Sequence, residues 1–108
     1  MDPIKIICIC GSGVAGANII MYKLREAFEK RGIPIKLITG GISSVSGLVG
    51  SGNVDMIVST SMMRKFEGVP YYQAIPFYTG EGEEELLEEI IQTAEKIWQE
   101  RKVDTNNE

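Results

Sequence analysis

Ile4-Lys5-Ile6-Ile7-Cys8-Ile9-Cys10-Gly11-Ser12-Gly13-Val14-Ala15-Gly16-Ala17-Asn18 is an apolar run that ends in a cysteine and passes into a glycine-rich turn. Ile4 to Cys10 shows little polar alternation, the signature of a strand buried on both faces of a parallel sheet. After it, Ile19, Ile20, Leu24, Ala27 and Phe28 recur at helical spacing, with Lys23, Arg25, Glu26, Glu29 and Lys30 opposite, predicting an amphipathic helix from about Ala15 to Arg31. Gly32 is placed to end it, after the basic pair Lys30-Arg31 that suits a helix C-terminus. A strand, a tight turn and a returning helix begin a β-α-β unit.

The remaining chain continues the alternation. Ile33 to Ile38 reads as a second strand, with Pro34 near its start tolerable only at a sheet edge. Thr39-Gly40-Gly41 is a turn, and Ile42 to Gly50 a short small-residue helix capped by Ser43 or Ser44. Val54 to Ser59 is a third strand, followed by the hydroxyl run Ser59-Thr60-Ser61, a short segment from Met62 to Phe66 and turn residues Gly68 and Pro70. Tyr71 to Ile75 is a brief fourth strand ending at Pro76. The last helix runs from about Gly82 to Arg101, with Leu86, Leu87, Ile90, Ile91, Ala94, Ile97 and Trp98 on one face, and Val103 to Glu108 reads as a frayed tail. Short right-handed connections then give one α/β domain over residues 1–108: three layers, Rossmann-like, with a four-stranded parallel sheet in the order 2-1-3-4 and helices on both faces. In such sheets ligands bind beyond the carboxyl ends of the strands, beside the point where strand order reverses. Cys10 ends the strand at that point.

Composition narrows the chemistry. The 108 residues carry a net charge of −4, much of it from the acidic run Glu81 to Glu89, and no Lys/Arg cluster that would track a phosphate backbone, so nucleic acid is not an expected partner. The N-terminal apolar run is too short for a membrane span and lacks the basic start of a signal peptide, so the expected location is cytoplasmic. Two cysteines on one strand make no disulfide framework, which agrees with a reducing compartment. There is no histidine, which removes His/Cys metal sites, Ser-His-Asp triads and Cys-His dyads. Neither metal nor cofactor is expected.

Cys10 is the candidate nucleophile. A thiol at a helix N-terminus can have its pKa lowered from about 8.5 into the range of roughly 3.5–7.5. Gly11, Gly13 and Gly16 let the backbone curl with its N–H groups inward, a nest that can hold three phosphate oxygens or a thiolate, and Ser12 and Asn18 can add side-chain donors. The bland alternative is a small buried residue beside an ordinary strand-to-helix turn, and that reading applies to Cys8, which precedes Cys10 by two and belongs to the core. A phosphotyrosine-phosphatase loop would close on an arginine where this chain has Gly16, a thioredoxin-like site needs Cys-x-x-Cys at a helix start, and Gly11-x-Gly13-x-x-Gly16 lacks the ribose-binding acid after the second strand. Three readings stay open on the residues alone: a phosphoryl-accepting thiol, a non-catalytic anion- or protein-binding module, and a redox-sensing thiol. For Ser59-Thr60-Ser61, turn capping is favoured over a contact to phosphate. Met62 and Met63 with Arg64 and Lys65 are either a docking rim or half-buried packing.

The segment Ile4 to Ala15 resembles the opening of the IIB components of the bacterial sugar phosphotransferase system, in particular the galactitol-type group. Val54-Asp55-Met56-Ile57-Val58-Ser59-Thr60 is similar to that group's third strand, and Pro76 to Leu87 to the start of its last helix. The resemblance implies a phosphotransferase that carries a phosphoryl group on Cys10, taken from a phosphohistidine of a IIA partner and passed to a sugar or polyol held by a membrane IIC partner. It implies a phosphate-binding loop of Gly11, Ser12, Gly13, Val14, Ala15, Gly16, Ala17 and Asn18. Where the family carries a hydroxyl-rich run, this chain has Gly16-Ala17-Asn18, leaving backbone N–H groups and the Asn18 amide as donors.

Overall fold

The computed structural model describes residues 3–9, 14–40, 42–52, 54–61, 66 and 68–106. β1 (Ile4–Ile9), α1 (Val14–Arg31), β2 (Ile35–Thr39), α2 (Ile42–Gly50), β3 (Met56–Ser59), β4 (Tyr71–Gln73), α3 (Pro76–Thr79) and α4 (Glu83–Asn106) follow one another along the chain. The four strands form one parallel sheet in the order β2-β1-β3-β4, as the alternation predicts. β1 is central, and every residue in it but Lys5 is buried. β2 is the edge strand, and Pro34 sits just before it with its carbonyl accepting the Ile4 N–H at 3.0 Å.

Strand alternation sorts the core into two layers. On one face Ile4, Ile6, Cys8, Met56 and Val58 pack with Ile20, Leu24 and Phe28 of α1, Phe77 of α3 and Leu86, Ile90, Ile91 and Ala94 of α4. On the other, Ile7, Ile9 and Ile57 pack with Val54 and with Val45 of α2, backed by Leu48 and Val49. Helices therefore cover both faces of the sheet. Asp55 ties the lower end of β3 to β1: its carboxylate accepts the Lys5 N–H at 2.8 Å while its own N–H donates to the Lys5 carbonyl at 2.8 Å.

α1 ends as its sequence predicts. Gly32 adopts φ +69°, and the Gly32 and Ile33 N–H groups donate to the carbonyls of Glu29 and Phe28 at 3.2 and 3.3 Å. This is a Schellman cap, completed by burial of Phe28 and Ile33 in the same cluster.

Four expectations change. The structure adds α3, which the sequence reading passes over as the end of a strand; Pro76 stands at its first position, where a missing N–H costs nothing, and Gly80 at φ +82° closes it. α2 begins at Ile42, so Ser43 and Ser44 lie within its first turn and do not precede it as caps. β4 stops at Gln73 because Ile75 already has helical backbone angles. α4 continues past Arg101 to Asn106, so residues 103–106 of the expected tail are helical. The segment 62–65 lies outside the described residues, and with it the docking rim expected of Met62, Met63, Arg64 and Lys65.

Candidate functional site

The carboxyl ends of β1, β3 and β4 finish level with one another. Ile9 is in register with Ser59, and Ser59 with Gln73. Just beyond Ile9 the chain passes through residues 10–13 and enters α1 at Val14. Cys10, Gly11, Ser12 and Gly13 lie outside the described residues. Val14, Ala15, Gly16, Ala17 and Asn18, expected as the rest of the phosphate-binding loop, form the first turns of α1. Gly16 is therefore a helix residue and not part of a curl. The N–H groups of that first turn have no intrahelical acceptor, and the turn contains no acidic side chain. Ala17 is buried and Asn18 exposed. An oriented set of N–H groups with no carboxylate among them favours an anion.

Beside the end of β1, the end of β3 is stitched into place by side chains. Ser59 is the one buried polar residue among the described residues. Its Oγ accepts the Ser61 N–H at 2.9 Å and lies 3.1 Å from the Ser61 carbonyl, to which it donates. That is a hydroxyl-stabilised turn, the capping role favoured for this run. Tyr71 from β4 donates its hydroxyl to the same Ser61 carbonyl at 2.7 Å. Gln73 donates its amide to the Thr60 carbonyl at 3.2 Å, and its Oε1 accepts the Ile75 N–H at 2.7 Å. Finally the Thr60 N–H donates to the Ile9 carbonyl at 3.0 Å, extending the ladder between β1 and β3 by one step. Sequence reasoning missed Tyr71 and Gln73. Nothing in the local pattern Tyr71-Tyr72-Gln73 signals these contacts, because their partners lie on another strand.

The two cysteines separate. Cys8 is wholly buried between β1's neighbours and the helices above it, and that burial pushes its thiol pKa up from 9.0 to about 12. It is a core side chain, inert as a nucleophile near neutral pH. Among the described residues no group of three or more His, Cys, Asp or Glu side chains is placed to hold a metal ion, and no helix is long and apolar enough to cross a membrane.

Residues 5–89 match the model of the family described as "PTS system, Lactose/Cellobiose specific IIB subunit". The chain is also similar to the galactitol-specific EIIB components of the phosphotransferase systems of Shigella flexneri and of Escherichia coli (strain K12). Each is 28% identical to it over 88 residues, which are 81% of this chain and 92% of the relative. The family match runs from β1 into α4 and so takes in every strand of the sheet. The chain belongs to the phosphotransferase-system IIB family and is a component of sugar phosphotransfer.

Proposed function

We propose that this chain is a phosphoryl carrier of the galactitol-type group, with Cys10 as the acceptor. What supports the reading is one coincidence: in a chain of the IIB family, Cys10 occupies the connection between the buried central strand and an acid-free helix start. The Cys10 thiolate attacks the phosphorus of a phosphohistidine on the IIA partner. An S–P bond forms as the N–P bond breaks, and the electron pair of that bond returns to the imidazole. In the second step a hydroxyl of the sugar or polyol, held by the IIC partner, attacks the same phosphorus. The S–P bond breaks, the thiolate leaves, and the hydroxyl proton passes to a base on the partner or to water. Thiolate is both a good nucleophile and a good leaving group, so the carrier can be loaded and unloaded. Backbone N–H groups of the first turn of α1, with the Asn18 amide, stabilise the dianion between the two steps. The work is done at the cytoplasmic face of the membrane, where the IIA and IIC partners meet.

The test uses phosphoenolpyruvate, the general phosphotransferase proteins and a galactitol-type IIA. Mass spectrometry of the wild-type chain should find one phosphoryl group, located on Cys10 and absent from Cys10→Ser. A wild-type chain that gains no phosphoryl group from any IIA overturns the carrier reading. Loading by a lactose/cellobiose-type IIA and not by a galactitol-type one overturns the subgroup alone.

A further inference from the structure

Exposed apolar side chains scattered singly over a surface are ordinary, whereas a contiguous set marks a place of contact. Here they gather. The large hydrophobic side chains exposed among the described residues are Ile19 and Tyr22 of α1, at 43% and 66%, and Ile75 and Tyr78 at α3, at 48% and 40%. Each pair is spaced i, i+3 on helical backbone, which puts its two members on one side of a turn. α3 touches α1, and the ion pair between Lys23 and Glu83 fixes how the two pairs meet. Ile19 lies four residues before Lys23 and so on the same face of α1, one turn closer to the helix start. At that height α4 has not begun, and the chain leading into Glu83 is α3 with Gly80, Glu81 and Gly82. Tyr22 lines the groove between α1 and α4 together with Lys23 and Glu83. The four side chains therefore lie along one apolar strip that crosses from α1 to α3 ahead of the start of α4.

The strip has an acidic border. Glu81, Glu84 and Glu85 follow Tyr78 at the turn into α4 and are exposed, and no ion pair among the described residues involves them. Lys23 and Lys30, which line the same groove as Tyr22, are taken up by Glu83 and Glu26. An apolar centre with such a border fits a protein surface that is apolar at its middle and carries Lys or Arg around it. A second copy of the chain would bring carboxylates against carboxylates, and an anionic lipid surface would repel them. Cytoplasmic loops of membrane proteins, by contrast, carry an excess of Lys and Arg.

We propose that the strip of Ile19, Tyr22, Ile75 and Tyr78, bordered by Glu81, Glu84 and Glu85, is the docking surface for the basic cytoplasmic face of the membrane IIC partner. This role rests on the carrier reading, which requires the chain to meet IIC. The tyrosine rings supply contact area at small entropic cost, and the carboxylates set the orientation and speed of encounter.

Binding of the unphosphorylated chain to galactitol-type and lactose/cellobiose-type IIC, each reconstituted in phosphatidylcholine vesicles, tests this against empty vesicles. The wild type should float with IIC vesicles and not with empty ones, and its affinity should fall as salt rises. Ile19→Ala with Tyr22→Ala should weaken binding about tenfold. Glu81→Gln with Glu84→Gln should weaken it about threefold at low ionic strength and flatten the salt dependence. In both double variants Tm and the loading of Cys10 by IIA should stay at the wild-type level. A wild type that binds neither IIC, or double variants that bind as well as the wild type, overturns the proposal. So does binding to empty vesicles, which makes lipid the occupant, or a loss of IIA loading equal to the loss of IIC binding, which gives the strip to IIA. A dimer in sedimentation that Ile19→Ala with Tyr22→Ala dissolves also overturns it, in favour of a second copy. The binding assay needs no phosphoryl donor. A chain that docks on IIC yet is never loaded by IIA counts against the carrier reading and leaves the surface standing; one that is loaded but does not dock does the reverse.

Discussion

α1 and α4 lie side by side on the same face of the sheet, yet their charges are arranged in opposite ways. α4 opens with Glu83, Glu84 and Glu85 and has no basic residue in its last turn; α1 opens with no acid and closes with Lys30 and Arg31. A helix N-terminus carries about half a positive charge. In α4 the chain's own carboxylates answer it, whereas in α1 nothing in the first turn does. Lys23 pairs with Glu83, and Arg31 reaches Glu88 and Glu95 at 3.0 and 3.5 Å, so the two helices run in the same direction. Because α1 starts well before Lys23, its N-terminus projects roughly 13 Å beyond that of α4 at 1.5 Å per residue. The carboxylates of α4 are thereby kept away from the end of α1 that adjoins Cys10. The difference separates a helix start that carries its own carboxylates from one whose first turn carries none.

The largest way to break this arrangement is to release the far end of α1. Phe28 is wholly buried, forms part of the Schellman cap with Ile33 and is the largest fully buried side chain of the helix. Phe28→Ala should cost about 3–5 kcal/mol in urea unfolding. A loss below about 1 kcal/mol, the low end for a substitution outside a packed core, would mean that α1 is held elsewhere.

The core beneath the two helices makes a second prediction, this time through pH. Cys8 has its thiol pKa raised by burial from 9.0 to about 12. The folded state therefore holds its proton more tightly than the unfolded chain, and the contribution is intact below pH 9 and lost as pH rises toward 12. The slope is about 1.4 kcal/mol per pH unit between those limits. Lysines and tyrosines titrate in the same window, so the measurement is the difference between wild type and Cys8→Ala. The wild type should lose stability more steeply above pH 9, and parallel curves would show that the thiol is not sealed under the helices.

The same contrasts mark what could be read from residues alone. The burial of β1, the amphipathic face of α1, its Gly32 stop and the strand order all follow from local patterns, and the structure has each of them. α3 escapes because it is a single turn: Pro76 looks like the end of a strand until Gly80 is read as the stop of a helix begun by that proline. The end of α4 escapes for a different reason. Residues 101–106 have Val103 as their one apolar side chain and include neither Gly nor Pro, so no apolar periodicity announces the helix and nothing breaks it. Tyr71 and Gln73 are illegible because their partners, Ser61 and Thr60, are brought to them only by the parallel pairing of β3 with β4. Cys10, in contrast, is singled out by a local pattern, a cysteine that closes an apolar run just before Gly11-Ser12-Gly13.

Asn18 tests the open start of α1 directly. It is exposed on the second turn, and the carrier reading gives its amide to the phosphate. Asn18→Asp keeps its size and adds a negative charge near a helix N-terminus. If an outside anion belongs there, phosphoryl acceptance should fall by about fivefold, equivalent to roughly 1 kcal/mol, while Tm stays level or rises because the dipole favours the new carboxylate. The opposing signs matter. A fall in both would indicate damage to the helix, and a fall in neither would place the phosphate out of reach of Asn18.

The smallest effect is expected at the other helix. Glu84 and Glu85 are exposed, and their value to α4 is the interaction with its N-terminus. Glu84→Gln with Glu85→Gln should cost about 0.3–1 kcal/mol per site at low ionic strength, and less as salt screens the charges. Phosphoryl acceptance by Cys10 should not change, because these carboxylates lie far from the start of α1. If the double variant instead transfers phosphoryl groups faster, the acidic run acts on the incoming phosphate over a distance. The separation of the two helix starts would then be incomplete, and the charge on α4 would be a brake on the site at α1.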